Sequence, residues 1–219
     1  MTHHLRVKVC GVRAPEEARR VAELGADAVG LNFYPPSPRY VDPATAAAIL
    51  RELPPFVEAV GLFVNVPLRE AVASLAALPR VRCVQWHGEG HEQPDDSGYQ
   101  LIPAFGVRDE AGLAQITRYL DQCRAVGRLP AAVLIDAHVA GQYGGTGRTA
   151  PWELLASFRP GVPLVLAGGL TPDNVAEAVR LVRPYAVDVA SGVESAPGVK
   201  DLDKVRRFLD RAREAATSS

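Results

Sequence analysis

Short β-branched runs alternate with alanine-rich stretches of helical period along the whole chain. Val7 and Val9 alternate with Lys8 and Cys10, and Gly11 ends the run. Leu5 to Cys10 therefore predicts a strand with valines on one face and an amine and a thiol on the other. Pro15 to Leu24 predicts a helix, with proline in its first turn and Gly25 at its C-terminal cap. Further strands are predicted at Asp27–Phe33, Phe56–Val64, Val81–Trp86, Gln100–Phe105, Ala131–Asp136, Pro163–Ala167 and Tyr185–Ala190. Helices are predicted at Pro43–Leu53, Pro67–Leu78, Asp109–Ala125, Trp152–Phe158, Pro172–Val182 and Asp201–Ala215. Residues 88–98, GEGHEQPDDSG, are mostly turn formers, so the fourth helix is degenerate.

Eight strands, each followed by a helix or its remnant, divide the 219 residues into units of about 27. That is compact for an α/β (β/α)8 TIM barrel but sufficient. A doubly wound open sheet also alternates strands and helices. No G-x-G-x-x-G follows the first strand and composition does not shift along the chain, which favours one barrel domain over residues 1–219.

In a barrel, side chains alternate between the lumen and the helix layer, and the apolar set faces the helices. Val7 and Val9 then point outward, and Lys8 and Cys10 point inward. Cys10 is the last residue before its loop, at the C-terminal mouth where barrel enzymes keep their active sites. The sixth strand ends likewise: Val133 and Ile135 share one face, and Ala132, Leu134 and Asp136 the other. By the same parity Asp188 faces inward, with Lys8 as its expected partner below the site. His87 ends strand four and is placed at the mouth.

Two glycine loops suggest an anion site. Gly168 and Gly169 follow strand seven, with Thr171-Pro172 expected to open a helix, and Ser191 and Gly192 follow strand eight. Glycines let the backbone approach an anion, and free N–H groups bind it. Barrel enzymes often hold phosphate with these two loops. The strand order six, seven, eight, one sets the phosphate loops between Asp136 and Cys10, a plausible acid–base pair across a phosphosugar. Gly144 and Gly145 lie in GQYGGTGRT, which lacks the G-K-[ST] ending of a P-loop and reads as a lid or phosphate-side loop. Arg39, in the proline-stiffened YPPSPRYV loop, suits bidentate capture of a carboxylate.

Charge and cysteine content narrow the classes. The formal net charge is -1, so neither a nucleic acid nor an anionic membrane is an expected partner. Three scattered cysteines fit a reducing compartment, and no run is long enough to span a bilayer, so a cytoplasmic enzyme is expected. His87-Gly88-Glu89-Gly90-His91 resembles a metal-binding run, but its glycines make it a loop, and no metal is expected.

With these positions in hand, the chain resembles the phosphoribosylanthranilate isomerase family of tryptophan biosynthesis. The resemblance rests on KVCG at 8–11, GADAVGLNF at 25–33, SPRYV at 37–41, LFVN at 62–65 and VQWHG at 84–88. IDA with the later GGTG, LAGGLTPDNV at 166–175, VDVASGVES at 187–195 and PGVKD at 197–201 complete it. It implies an Amadori rearrangement of a small-molecule phosphosugar–anthranilate, with no cofactor, by a monomer or homodimer. Cys10 would be general base, Asp136 general acid and Arg39 the anthranilate-carboxylate binder. The histidine-pathway Amadori isomerase is a rival, but it is expected to use paired aspartates, against which Cys10 argues. A non-catalytic phosphosugar-binding barrel would be expected to lack the acid or base. Three positions depart from the family pattern: Ala190 replaces a frequent serine, Ala150-Pro151-Trp152 a Phe-Asp-Trp run, and Trp86 a common leucine.

Overall fold

A computed structural model describes residues 4–88, 92–95, 97–136 and 152–217. Eight parallel strands close into a barrel in chain order, β1 (Arg6–Cys10), β2 (Ala28–Asn32), β3 (Glu58–Val64), β4 (Val81–His87), β5 (Gln100–Gly106), β6 (Val133–Asp136), β7 (Leu164–Ala167) and β8 (Ala186–Val189). Seven α-helices are described: α1 (Pro15–Glu23), α2 (Pro43–Glu52), α3 (Leu68–Ser74), α4 (Glu110–Ala125), α5 (Trp152–Ala156), α6 (Val175–Val182) and α7 (Leu202–Thr217). None of the described residues between β4 and β5 is helical, as the turn-forming composition there predicts.

Local chemistry explains where helices begin. Pro15 opens α1, its missing N–H falling where no intrahelical acceptor exists. Asp42 caps α2, accepting the N–H groups of Ala44 and Thr45 at 2.9 Å each. α6 starts later than the sequence predicts, at Val175. Thr171 N–H donates to Asn174 Oδ1 at 2.8 Å, and Asp173 N–H to Thr171 Oγ1 at 3.2 Å. A side-chain-bonded turn thus replaces the expected first turn of helix.

The strand faces divide as parity requires. Val7, Val9, Val133 and Ile135 are fully buried in the main core between barrel and helices. Ala104, Ala132, Leu134, Val165, Ala167 and Ala186 form a separate, smaller cluster. Their parity places them inside the barrel, where small side chains fit. The β1–β8 seam aligns Lys8 with Asp188, and the β1–β2 register aligns Cys10 with Gly30. After β8 comes a short 3-10 turn, Ser191–Val193. A two-stranded hairpin that the sequence reading missed follows it, β9 (Glu194–Ala196) and β10 (Val199–Lys200).

Candidate active site

Cys10 ends β1 at the barrel mouth and is 5% exposed. Directly across, Gly30 makes room for it. A Cβ built on Gly30 would lie 2.5 Å from Cys10 Sγ and 3.1 Å from Lys8 Nζ. The φ of Gly30 lies outside the left-handed region, so its glycine is required for space and not for conformation. Below the thiol, Lys8 Nζ donates to Asp188 Oδ1 at 2.9 Å, the pairing that parity predicts.

These buried groups set one another's protonation. Burial alone would depress the Lys8 ammonium, but Asp188 and the Cys10 sulfur outweigh it and hold Lys8 above the ordinary lysine value. Burial pushes the Cys10 thiol up; Lys8 and Lys200 oppose this, Asp188 reinforces it, and the net shift is upward. A lysine two residues away on the same face would by itself enlarge the thiolate fraction. It does pull in that direction, but desolvation wins while the ammonium is shared with Asp188.

Asp136 ends β6 on the opposite part of the rim. It borders a cavity of about 270 Å³ with His87, Ala104, Phe105, Gly106 and Arg108. His87 Nε2 lies 2.8 Å from Gln85 Nε2. A larger cavity, about 850 Å³, opens at the other end of the barrel between Leu5, Phe158, Leu164, Val182 and Tyr185. It contains none of the sequence-predicted site residues. Size alone therefore does not locate the chemistry.

The loops after β7 and β8 meet closely. Gly168 and Gly169 have φ of 90° and 65°, conformations that disfavour other residues. A Cβ on Gly192 would collide with the Leu170 carbonyl oxygen, so the two loops can touch only through glycine. Among the described residues, the loop hydrogen bonds leave the N–H groups of Gly169, Ser191 and Gly192 without an acceptor. These donors, and not the start of α6, form the candidate anion nest. Gly144 and Gly145 lie outside the described residues, as do Glu89, Gly90 and His91.

Arg39 is not simply poised for a ligand. Its Nε and Nη2 donate to Glu194 Oε1 and Oε2, both at 2.7 Å. Glu194 and Lys200 are buried partners that the sequence reading did not single out. Their only signal was two charged residues within the VES and VKD runs.

A closed eight-stranded parallel barrel with a thiol and a carboxylate at its C-terminal mouth defines a (β/α)8-barrel enzyme. A family-wide sequence model described as N-(5'-phosphoribosyl)anthranilate (PRA) isomerase matches residues 7–211. The N-(5'-phosphoribosyl)anthranilate isomerase of Trichlorobacter lovleyi is 48% identical, over 96% of this chain and 99% of its own. The phosphoribosyl anthranilate isomerase of Thermotoga maritima superposes with a TM-score of 0.82 at 39% identity, covering 96% of this chain and 99% of its own. A further isomerase structure, in complex with reduced 1-(o-carboxyphenylamino)-1-deoxyribulose 5-phosphate, gives a TM-score of 0.79 at 37% identity, with 96% and 99% coverage. The chain belongs to the N-(5'-phosphoribosyl)anthranilate isomerase family, whose members are isomerases of tryptophan biosynthesis.

Proposed function

We propose that the chain converts N-(5'-phosphoribosyl)anthranilate to 1-(2-carboxyphenylamino)-1-deoxyribulose 5-phosphate by an Amadori rearrangement. The observation that carries this reading is the Cys10 thiol at the barrel mouth, packed against Gly30 and braced by the Lys8–Asp188 pair.

The substrate phosphate sits on the N–H groups of Gly169, Ser191 and Gly192. Asp136, in its protonated form, gives its proton to the ribose ring oxygen, and the bond from that oxygen to C1 breaks. The nitrogen lone pair completes a Schiff base at C1, which makes the C2 proton acidic. Cys10, as the thiolate, removes that proton. The electron pair moves to form an enolamine, which tautomerises to the ketone. Arg39 pairs with the anthranilate carboxylate. His87 lines the mouth, and Gly144 and Gly145 contribute to substrate binding. The steps are proton transfers and a ring opening with no net oxidation or reduction, so they call for no redox cofactor. The protein acts as a monomer or a homodimer, a choice that light scattering decides.

Purified protein mixed with phosphoribosylanthranilate should consume the fluorescent substrate. Folded protein that leaves the fluorescence unchanged sinks the reading. Cys10→Ala and Asp136→Asn should each slow turnover on the order of a hundredfold or more, the usual weight of a positioned acid or base. A near-normal rate in either removes that residue from its role.

A further inference from the structure

Arg39, from the loop after β2, joins Glu194 and Lys200 of the β9–β10 hairpin in one charged cluster beside Cys10. Glu194, its side chain 5% exposed, accepts from two nitrogens of Arg39 at 2.7 Å and from Lys200 Nζ at 2.8 Å. Lys200 has a fully buried side chain, and its Nζ also donates to the Ala190 carbonyl at 3.1 Å. Lys204 Nζ holds the Glu194 backbone carbonyl at 2.7 Å. The β9–β10 hairpin that carries Glu194 and Lys200 is anchored as well. Lys200 N–H donates to Glu17 Oε1 at 2.9 Å, while Glu17 Oε2 accepts from Arg13 N–H at 2.8 Å. A Cβ on Gly198 at the hairpin tip would lie 2.5 Å from the Pro38 carbonyl, one residue before Arg39. The Arg39 side chain itself lies across Gly11, where a Cβ would be 2.5 Å from Arg39 Cδ.

A guanidinium offers two edges that fit a carboxylate, Nε with Nη2 and Nη1 with Nη2. Glu194 occupies the first. Among the described residues, no hydrogen bond uses Nη1 of Arg39. The three side chains Arg39, Glu194 and Lys200 carry two positive charges and one negative, so the trio retains one positive charge. Without Lys200, Glu194 would neutralise Arg39.

We propose that Glu194 and Lys200 are positioning residues: Glu194 fixes the guanidinium by its side edge so that its end edge takes the substrate's aromatic carboxylate, and Lys200 keeps the cluster cationic. This deepens the proposed function and rests on the assignment of Arg39 to that carboxylate.

The test compares two ligands: reduced 1-(o-carboxyphenylamino)-1-deoxyribulose 5-phosphate and the same compound without the carboxyl group. The ratio of their Kd values, measured by calorimetry, isolates the carboxylate's contribution. The unaltered protein should prefer the carboxylated ligand on the order of tenfold or more, as expected for charge-assisted hydrogen bonds. In Glu194→Gln, which retains size but loses the fork, the ratio should fall to within about threefold of unity. Affinity for ribulose 5-phosphate, which reads the phosphate loops alone, should stay unchanged. In Lys200→Met the ratio should fall about threefold or more, because the cluster becomes neutral. Lys200→Met leaves a paired Arg39–Glu194 and carries the test if Glu194→Gln does not fold. A ratio in either variant equal to or above that of the unaltered protein overturns the proposal. An equal loss of ribulose 5-phosphate affinity overturns it too, since that marks general disruption. A ratio near one in the unaltered protein instead overturns the Arg39 assignment, and the proposal with it.

Discussion

The two sides of the barrel mouth are built on opposite plans. On the β1–β8 side, Cys10, Lys8 and Asp188 are all buried, and Gly30 leaves them no spare space. On the β4–β6 side, Asp136 is half-buried and borders a cavity of about 270 Å³ with His87. The difference suits the two proton tasks proposed for Asp136 and Cys10. A carboxyl at the edge of a cavity that can hold several waters can exchange its proton with solvent between turnovers. A thiol sealed against an ammonium is held in one place, and burial makes its anion costly. Under the proposed roles, rigidity is concentrated where the C2 proton would be taken and access where a proton would be resupplied.

Four measurements would break or sharpen that contrast. The largest effect should come from Lys8→Met. It leaves Asp188 charged and unpaired in the barrel, a loss of about 3–5 kcal/mol in urea unfolding. Adding Asp188→Leu should recover a large part of it. A single variant as stable as the parent would mean that the sealed side is not electrostatically braced. Asp136→Asn, on the open side, should cost less than Lys8→Met in the same measurement.

Next in size is the response to alkali. Lys8 and Cys10 both have folded-state values above their ordinary 10.5 and 9.0. For each, the protonated form is favoured by folding. The stability they contribute is complete below about pH 9 and is lost as the pH rises through the folded-state values. Thermal unfolding followed from pH 7 to 11 should show the loss in the parent and a shallower loss in Cys10→Ala. The same upward shift means that kcat/KM should climb with pH above neutrality, by up to about tenfold per unit, as thiolate forms. A flat profile would contradict a buried thiol as base.

Gly30→Ala comes third. The added methyl meets the thiol and the Lys8 ammonium, and overpacking of that kind costs about 1–3 kcal/mol. It should lower kcat more than it raises KM, because it displaces the base and leaves the phosphate loops alone. An unaltered kcat would show that the slot around Cys10 has slack. The smallest effect is expected far from both sides. Asp42→Ala removes a helix cap and should cost about 1 kcal/mol in unfolding with no change in rate.

Much of this layout is legible in the sequence because strand parity is local. Val7 and Val9 identify the outward face, so Lys8 and Cys10 must face in, and the same reasoning places Asp136 and Asp188. Even the Lys8–Asp188 pair follows, since the first and last strands of a closed barrel are neighbours. The α6 start is not legible. Thr171-Pro172 looks like a helix opening, but Asn174 and Thr171 side chains take the N–H groups first. Nor is the partner of Arg39, which lies 155 residues away on a short hairpin, Glu194–Lys200, that carries little periodicity.

The sequence by itself determined the alternation of strands and helices, the closed barrel it favours, and which residues turn toward the lumen. Those properties depend on backbone period and on neighbours a few residues apart. Only the tertiary structure decided what those residues meet. Gly30 is a slot because β2 lies in one particular register against β1. Cys10 is harder to ionise because closure of the barrel removes water from it. Arg39 has one edge committed because the hairpin after β8 folds back over the first two loops. Each of these is a property of separations in space that no local pattern encodes.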